Sequence, residues 1–264
     1  MTSGEDLLLL ALVPRSGRVR EADRVKFALR ASVLVDLALA HRITMNANRI
    51  KVLSTAATGD RRLDNALSSL GSNTAPSLRA WVRDTPAGYG MINRYLSILA
   101  DQGVLEVEPR RGGIPAPMHA TLLDRTPRDA AKARVDRVAR GRESEDADRA
   151  LAGLIHSCGL DRHLYRFSPL ARTRMTRLGS HSHQDVAAVA DTTAAAAASA
   201  DAAVSEAVAL AISEGITRLT AELVKLLRYE YRIENNFTGE HHGAQPGHHG
   251  GYGDAGGGHH HHTP

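Results

Sequence analysis

The run FALRASVLVDLALAHRI, Phe27 to Ile43, constrains the fold more than any other stretch of the chain. Its apolar residues recur nearly all round a helix, so that helix, read from Val25 to His41, has to lie at the centre of a core. Arg30, Asp36, His41 and Arg42 punctuate it, which makes it a buried helix rather than a membrane span. Arg30 stands in its first turns, and a buried guanidinium costs several kcal/mol unless something meets it. Either a carboxylate such as Asp36 or Asp64 pairs with it, or it opens onto a surface that receives an anionic partner.

The chain of 264 residues is 42% hydrophobic, enough to bury a real core. Residues 1–236 read as one domain and 237–264 as a His/Gly-rich tail with no apolar period, which cannot bury enough surface to fold. That tail holds eight of the 14 histidines but no fixed ligand spacing, so no metal site is assigned. Cys158 is the single cysteine, which excludes an intramolecular disulfide framework and points to a reducing, cytoplasmic setting. The run LLLLALV, Leu7 to Val13, is too short to span a bilayer, and Glu5 and Asp6 precede it where an export signal carries positive charge.

Charge is unevenly spread. Residues 1–142 carry 23 Lys+Arg against 14 Asp+Glu, a surplus of 9, whereas residues 143–264 carry 10 against 15. A basic first half suits a polyanionic partner such as a membrane surface or nucleic acid.

Along the chain, PRSGRV reads as a turn, Arg49 to Leu53 as a short strand, and Thr58 to Asp60 as a turn into a helix whose face is Leu63, Ala66, Leu67 and Leu70. Ser77 to Val82 predicts a short helix with Trp81 as a core anchor, and Tyr89 to Gln102 an amphipathic one closed by Gly103. VLEVE alternates as a strand, and the chain returns at Met118 to Leu122. Helices follow over Pro127–Arg142 and Asp148–Ser157, and the Ala-rich region from Val186 to Arg232 reads as one helix or two broken near Gly215. The expected fold is mainly α, with one or two hairpins.

No Walker-type loop, GxSxG elbow, HExxH or CxxC pair occurs, so no catalytic residue and no cofactor is assigned. His156 and Cys158 lie two apart, which on a helix points them in different directions and leaves a buried thiol beside an incidental histidine. The helix Tyr89–Gln102 followed by GVLEVEPRRGG allows an alternative, a winged-helix nucleic-acid binder with Arg94, Arg110 and Arg111 on phosphates. The short helix before it is a poor helix-turn-helix partner, so nucleic acid is not the expected ligand.

Taken in order, LLLLALVPRSGRV, ALRASVLVDLALAHRI, ATGDRRLDNAL, LRAWV and LADQGVLEVE resemble the successive blocks of the Golgi phosphoprotein 3 family, with DADRALAGLIHSCGL similar to its later helical block. The resemblance runs from about Leu7 to Asn236. It implies a single compact helical domain with a projecting β-hairpin, no enzymatic activity, and peripheral binding to phosphatidylinositol 4-phosphate on a cytoplasmic membrane face. A protein cargo is left open.

In that family the lipid pocket uses a tryptophan and an arginine around the central helix and two arginines on a later one. Arg30 matches the family's arginine. The tryptophan position is Glu21, the two later arginines fall at Tyr89 and Ile92, and Arg94, a helical step away, is the partial substitute. Trp81, in the LRAWV block, is not the pocket tryptophan. The resemblance therefore implies weakened or altered head-group recognition, assisted by the basic residues Arg15, Arg18, Arg20, Arg24 and Lys26 near the same helix. The tip PRRGGIPAP is basic and Pro-rich where trafficking members are apolar.

Overall fold

A four-leucine run has no helical period of its own, yet it forms a helix whose every residue is buried. The computed structural model describes residues 1–46, 49–72, 76–84, 89–108, 118–178 and 213–229. Helix α1 (Ser3–Ala11) begins with a capping box in which Thr2 and Glu5 satisfy each other's backbone N–H groups. Leu7, Leu8, Leu9 and Leu10 are all buried. After the tight hairpin β1 (Leu12–Val13) and β2 (Arg18–Val19) comes α2 (Ala22–Leu39), the long apolar helix expected from the sequence. It shares the centre of the core with α1 rather than holding it alone.

The other elements wrap this pair. A second hairpin, β3 (Ile43–Asn46) with β4 (Arg49–Val52), leads to α3 (Arg61–Ser72), α4 (Leu78–Arg83) and α5 (Gly90–Asp101). A third, β5 (Leu105–Glu108) with β6 (His119–Leu122), leads to α6 (Thr126–Ala139), α7 (Asp146–Ser157), α8 (Asp161–Leu164) and α9 (Pro169–Leu178). A last helix, α10, covers 213–229. Helix α1 packs on α2, α5, α6 and α7, while α2 also packs on α3 and α4. The fold is thus mainly α, with three two-stranded antiparallel hairpins among the described residues.

Two sequence readings change, and one alternative is settled among the described residues. Strand β3 pairs with the expected β4, because Ile43 and Met45 alternate toward the core as Ile50 and Val52 do. The helices α8 and α9 were not foreseen. Helix α10 runs through Gly215 without a break; the Ala-rich stretch before residue 213, the tail 237–264 and the hairpin tip PRRGGIPAP lie outside the described residues.

Close approach sets two glycines. A Cβ on Gly4 would lie 2.6 Å from Ser32 Oγ and from the Tyr95 ring, so only glycine lets α1 meet α2 and α5 there. Gly17 has a φ of +59° and sits against His119, and its carbonyl accepts from Ala120 N–H at 3.1 Å, which fastens the first hairpin to β6.

Burial of α1 demands partners for its acids. Arg62 donates to Glu5 Oε1 at 2.8 Å, and Arg134 donates to Asp6 Oδ2. Arg128 Nε donates at 3.1 Å to the Leu9 carbonyl in the last turn of α1, a group the helix itself cannot satisfy. Asp36 on α2 accepts from Ser3 N–H at 3.0 Å, but its Oδ2 has no partner, and burial pushes its carboxyl up to about 6.

Asp36 titrates above its unfolded value, so the native state binds that proton more tightly and ionising it costs stability as pH rises from about 4 to about 6. Asp36→Asn removes the cost while keeping an acceptor for Ser3. The variant is expected to be about 1–2 kcal/mol more stable than the parent at pH 7.5, with the gap closing toward pH 4, in urea melts across that range. An equal gap at both pH values would contradict it.

Candidate functional site

Arg30 is answered from a distance in sequence that a local reading does not reach. Its guanidinium stacks 3.7 Å from the centre of the Trp81 ring on α4. Its Nε donates to the Trp81 carbonyl and Trp81 Nε1 donates back to the Arg30 carbonyl, both at 3.3 Å. Its Nη2 donates to Asp84 Oδ2 at 3.3 Å. Asp84, not Asp36 or Asp64, is therefore the carboxylate partner. Asp64 instead accepts from the Thr58 N–H and hydroxyl, at 2.7 and 2.8 Å, and so fixes the turn into α3.

The Asp84 side chain is 83% exposed, so its pair with Arg30 lies in high dielectric and contributes little. Burial lowers the Arg30 pKa, against the opposing pull of Asp84. Stacking and the Nε bond to the Trp81 carbonyl are what hold the side chain.

Arg30 and Trp81 form one wall of a cavity of about 160 Å³ between α2, α3, α4 and α5. Arg62 of α3 and Arg94 of α5 complete its cationic lining, with Tyr95 beneath. Arg62 is fixed from behind: Nε and Nη2 bind Asp60 at 3.1 and 2.6 Å while Nη2 also reaches Glu5, and its carbon lies 5.0 Å from the Tyr95 ring centre. Burial opposes its charge, but Asp60, Tyr95 and Glu5 outweigh that and raise its pKa. Its Nη1 is buried without a hydrogen-bond partner. Arg94 is exposed and has no carboxylate at ion-pair distance among the described residues.

Three guanidinium groups thus converge on one small space whose lining contains no carboxylate and no histidine. Such a set can receive a phosphate-sized anion by charge-assisted hydrogen bonds. It offers no group to move a proton near neutral pH, since burial pushes the Tyr95 hydroxyl up to about 12.

The sequence-predicted residues separate into groups. Arg30 and Arg94 meet at the cavity. Arg15, Arg18 and Arg20 are exposed on and after the first hairpin, where Arg20 and Arg125 both act on Arg128 at the start of α6. Arg24 pairs with Glu21 at 3.5 Å and lies against Gly159, and Lys26 lies 4.7 Å from the Phe27 ring centre. Glu21 has φ 49° and accepts from His163 Nε2 at 3.2 Å, so it serves the α8 side and not the cavity. Tyr89 donates to Asp23 at 3.1 Å, and Ile92 is fully buried. Arg110 and Arg111 lie outside the described residues. Sequence reading missed Arg62, whose signal was the acid pair in α1 that had to be met.

Other candidates are structural. Burial pushes the Cys158 thiol up to about 12, and it donates to the Ile155 carbonyl at 3.4 Å. His156 Nδ1 lies 2.8 Å from Asp161 Oδ2, and its Nε2 meets Arg228 of α10. Helix α4 packs on α2 and is not closely packed against α5, as the first helix of a helix-turn-helix pair would be. No helix among the described residues is long and apolar enough to cross a membrane, and none of their His, Cys, Asp and Glu side chains groups to hold a metal.

A family model described as Golgi phosphoprotein 3 matches residues 4–224. No curated protein matches the chain.

Arg30→Ala removes the stack on Trp81 and both side-chain bonds, and is expected to cost about 1–3 kcal/mol in urea unfolding. Asp84→Ala is expected to cost less than about 0.5 kcal/mol. Equal losses would mean that the ion pair, not the stacking, holds Arg30.

Proposed function

The chain belongs to the Golgi phosphoprotein 3 family, and from that premise we propose that it is a non-enzymatic peripheral membrane protein whose Arg30–Arg62–Arg94 cavity receives an anionic, phosphoinositide-like head group. The observation that carries this is Arg94: it lines the cavity, is exposed, and has no acid beside it among the described residues. Arg62 stands in the wall of the same cavity, with its charge already met by Glu5 and Asp60. An exposed arginine with no acid beside it keeps its donors open to an anion.

Family membership supports phosphatidylinositol 4-phosphate as the lipid class. The residues at the family's pocket positions support a changed mode of recognition: Glu21 is turned to His163, Tyr89 to Asp23, and Ile92 to the core. Arg62 and Arg94 take over from the two absent arginines, on the α3 side of Arg30. The winged-helix alternative gains no support from the placement of α4.

Purified protein is expected to co-sediment with phosphatidylcholine vesicles containing phosphatidylinositol 4-phosphate, not with phosphatidylcholine alone, and to be released by salt. Arg94→Ala is expected to lower the affinity by about tenfold or more with an unchanged melting temperature, because charge-assisted bonds to phosphate contribute about 1.5–3 kcal/mol. Equal recovery on both vesicle types would refute the reading.

A further inference from the structure

The second half of the chain is acidic overall, and one segment in it is not. Residues 162–178, RHLYRFSPLARTRMTRL, hold five arginines and no acid. They form α8, the corner after it, and α9. At that corner Phe167 is 88% exposed and Leu170 is 73% exposed, the two most exposed large apolar side chains among the described residues.

A single exposed leucine or phenylalanine needs no explanation. Two of them three residues apart, on a corner held rigid from behind, do. Tyr165 donates to Asp136 Oδ1 at 2.6 Å and lies under Lys132, with 4.8 Å from Nζ to the ring centre. Ser168 N–H donates to the Tyr165 carbonyl, and Ala171 and Met175 bury the opposite face of α9. The apolar pair is therefore presented outward by the fold, not left over from a loose end.

Its surroundings carry positive charge. Arg162, Arg166, Arg172 and Arg177 have no carboxylate at ion-pair distance among the described residues. Arg166 lies 5.1 Å from the Phe167 ring centre, while Arg174 donates to the Arg140 carbonyl at the end of α6. An exposed aromatic ring and leucine, with Arg166 against the ring and other arginines without acid partners among the described residues on the same segment, match the boundary between phosphates and acyl chains in an anionic bilayer.

We infer that the α8–α9 corner is a second membrane contact, in which Phe167 and Leu170 enter the interfacial zone of an anionic bilayer and the neighbouring arginines pair with its phosphates. The inference rests on the peripheral-membrane reading above but not on the cavity. The corner is tied to the start of α2 through the His163–Glu21 bond, and Arg30 lies nine residues further along that helix, about 14 Å at the rise of an α-helix. A bilayer held at the corner is thus within a short distance of the cavity.

The test uses Phe167→Cys carrying an environment-sensitive fluorophore, which the buried Cys158 does not take up, and the exposed position of Asp101→Cys as a control label. On phosphatidylcholine vesicles containing phosphatidylserine, the label at 167 is expected to shift to the blue and brighten while the label at 101 does not. Phe167→Ser with Leu170→Ser is expected to weaken vesicle binding by about tenfold without lowering the melting temperature. Co-sedimentation with an unchanged label at 167 would overturn the inference and leave the cavity reading standing. A label already blue without vesicles would mean that protein covers the corner, and would also overturn it. Absence of any vesicle binding would end both.

Discussion

Helix α1 is enclosed by four other helices and nevertheless carries Glu5 and Asp6, so arginines have to come to it. Arg134 answers Asp6 from α6, and Arg62 answers Glu5 from α3. The second pair does more than neutralise an acid. Glu5 and Asp60 also fix Arg62 in the wall of the cavity, beside Tyr95. Core stability and the shape of the candidate site therefore depend on the same ion pair, and the site is rigid because the core is.

The reciprocal clamp between Arg30 and Trp81 follows the same logic from α2. Stacking a guanidinium on an aromatic face satisfies a half-buried cation without taking up all its donors, as a bidentate carboxylate would. Asp84 stays in solvent, where its attraction is screened and an incoming phosphate can compete with it. Arg94, beside them, needs no displacement at all. The three arginines thus span a range from firmly held to unpaired, which suits a site that keeps its form while exchanging an anionic ligand at a membrane surface.

Much of the scaffold was legible because period and punctuation agreed. The face of Leu63, Ala66, Leu67 and Leu70 marked α3, the alternation of VLEVE with the return at Met118 marked β5 and β6, and the apolar run marked α2. Helix α1 was undervalued because a segment apolar on every side shows no period. Helices α8 and α9 were missed for the opposite reason: an arginine-rich segment with only Ala171 and Met175 turned inward offers too few apolar positions to read. At the site, Arg30 and Arg94 were visible, but the partner of Arg30 was sought among Asp36 and Asp64 and stands instead at Asp84, 54 residues away. Only packing of α4 on α2 brings them together, and no local pattern announces it.

The central claim, that an anion sits among Arg30, Arg62 and Arg94, has a built-in reporter, because Trp81 is the single tryptophan of the chain and lines the same cavity. Titration of the protein with a soluble phosphorylated inositol head group, followed by tryptophan emission, tests it most directly. The account predicts a saturable change in emission that is absent with unphosphorylated inositol. Unchanged emission under conditions where the protein remains bound to phosphoinositide vesicles would contradict it.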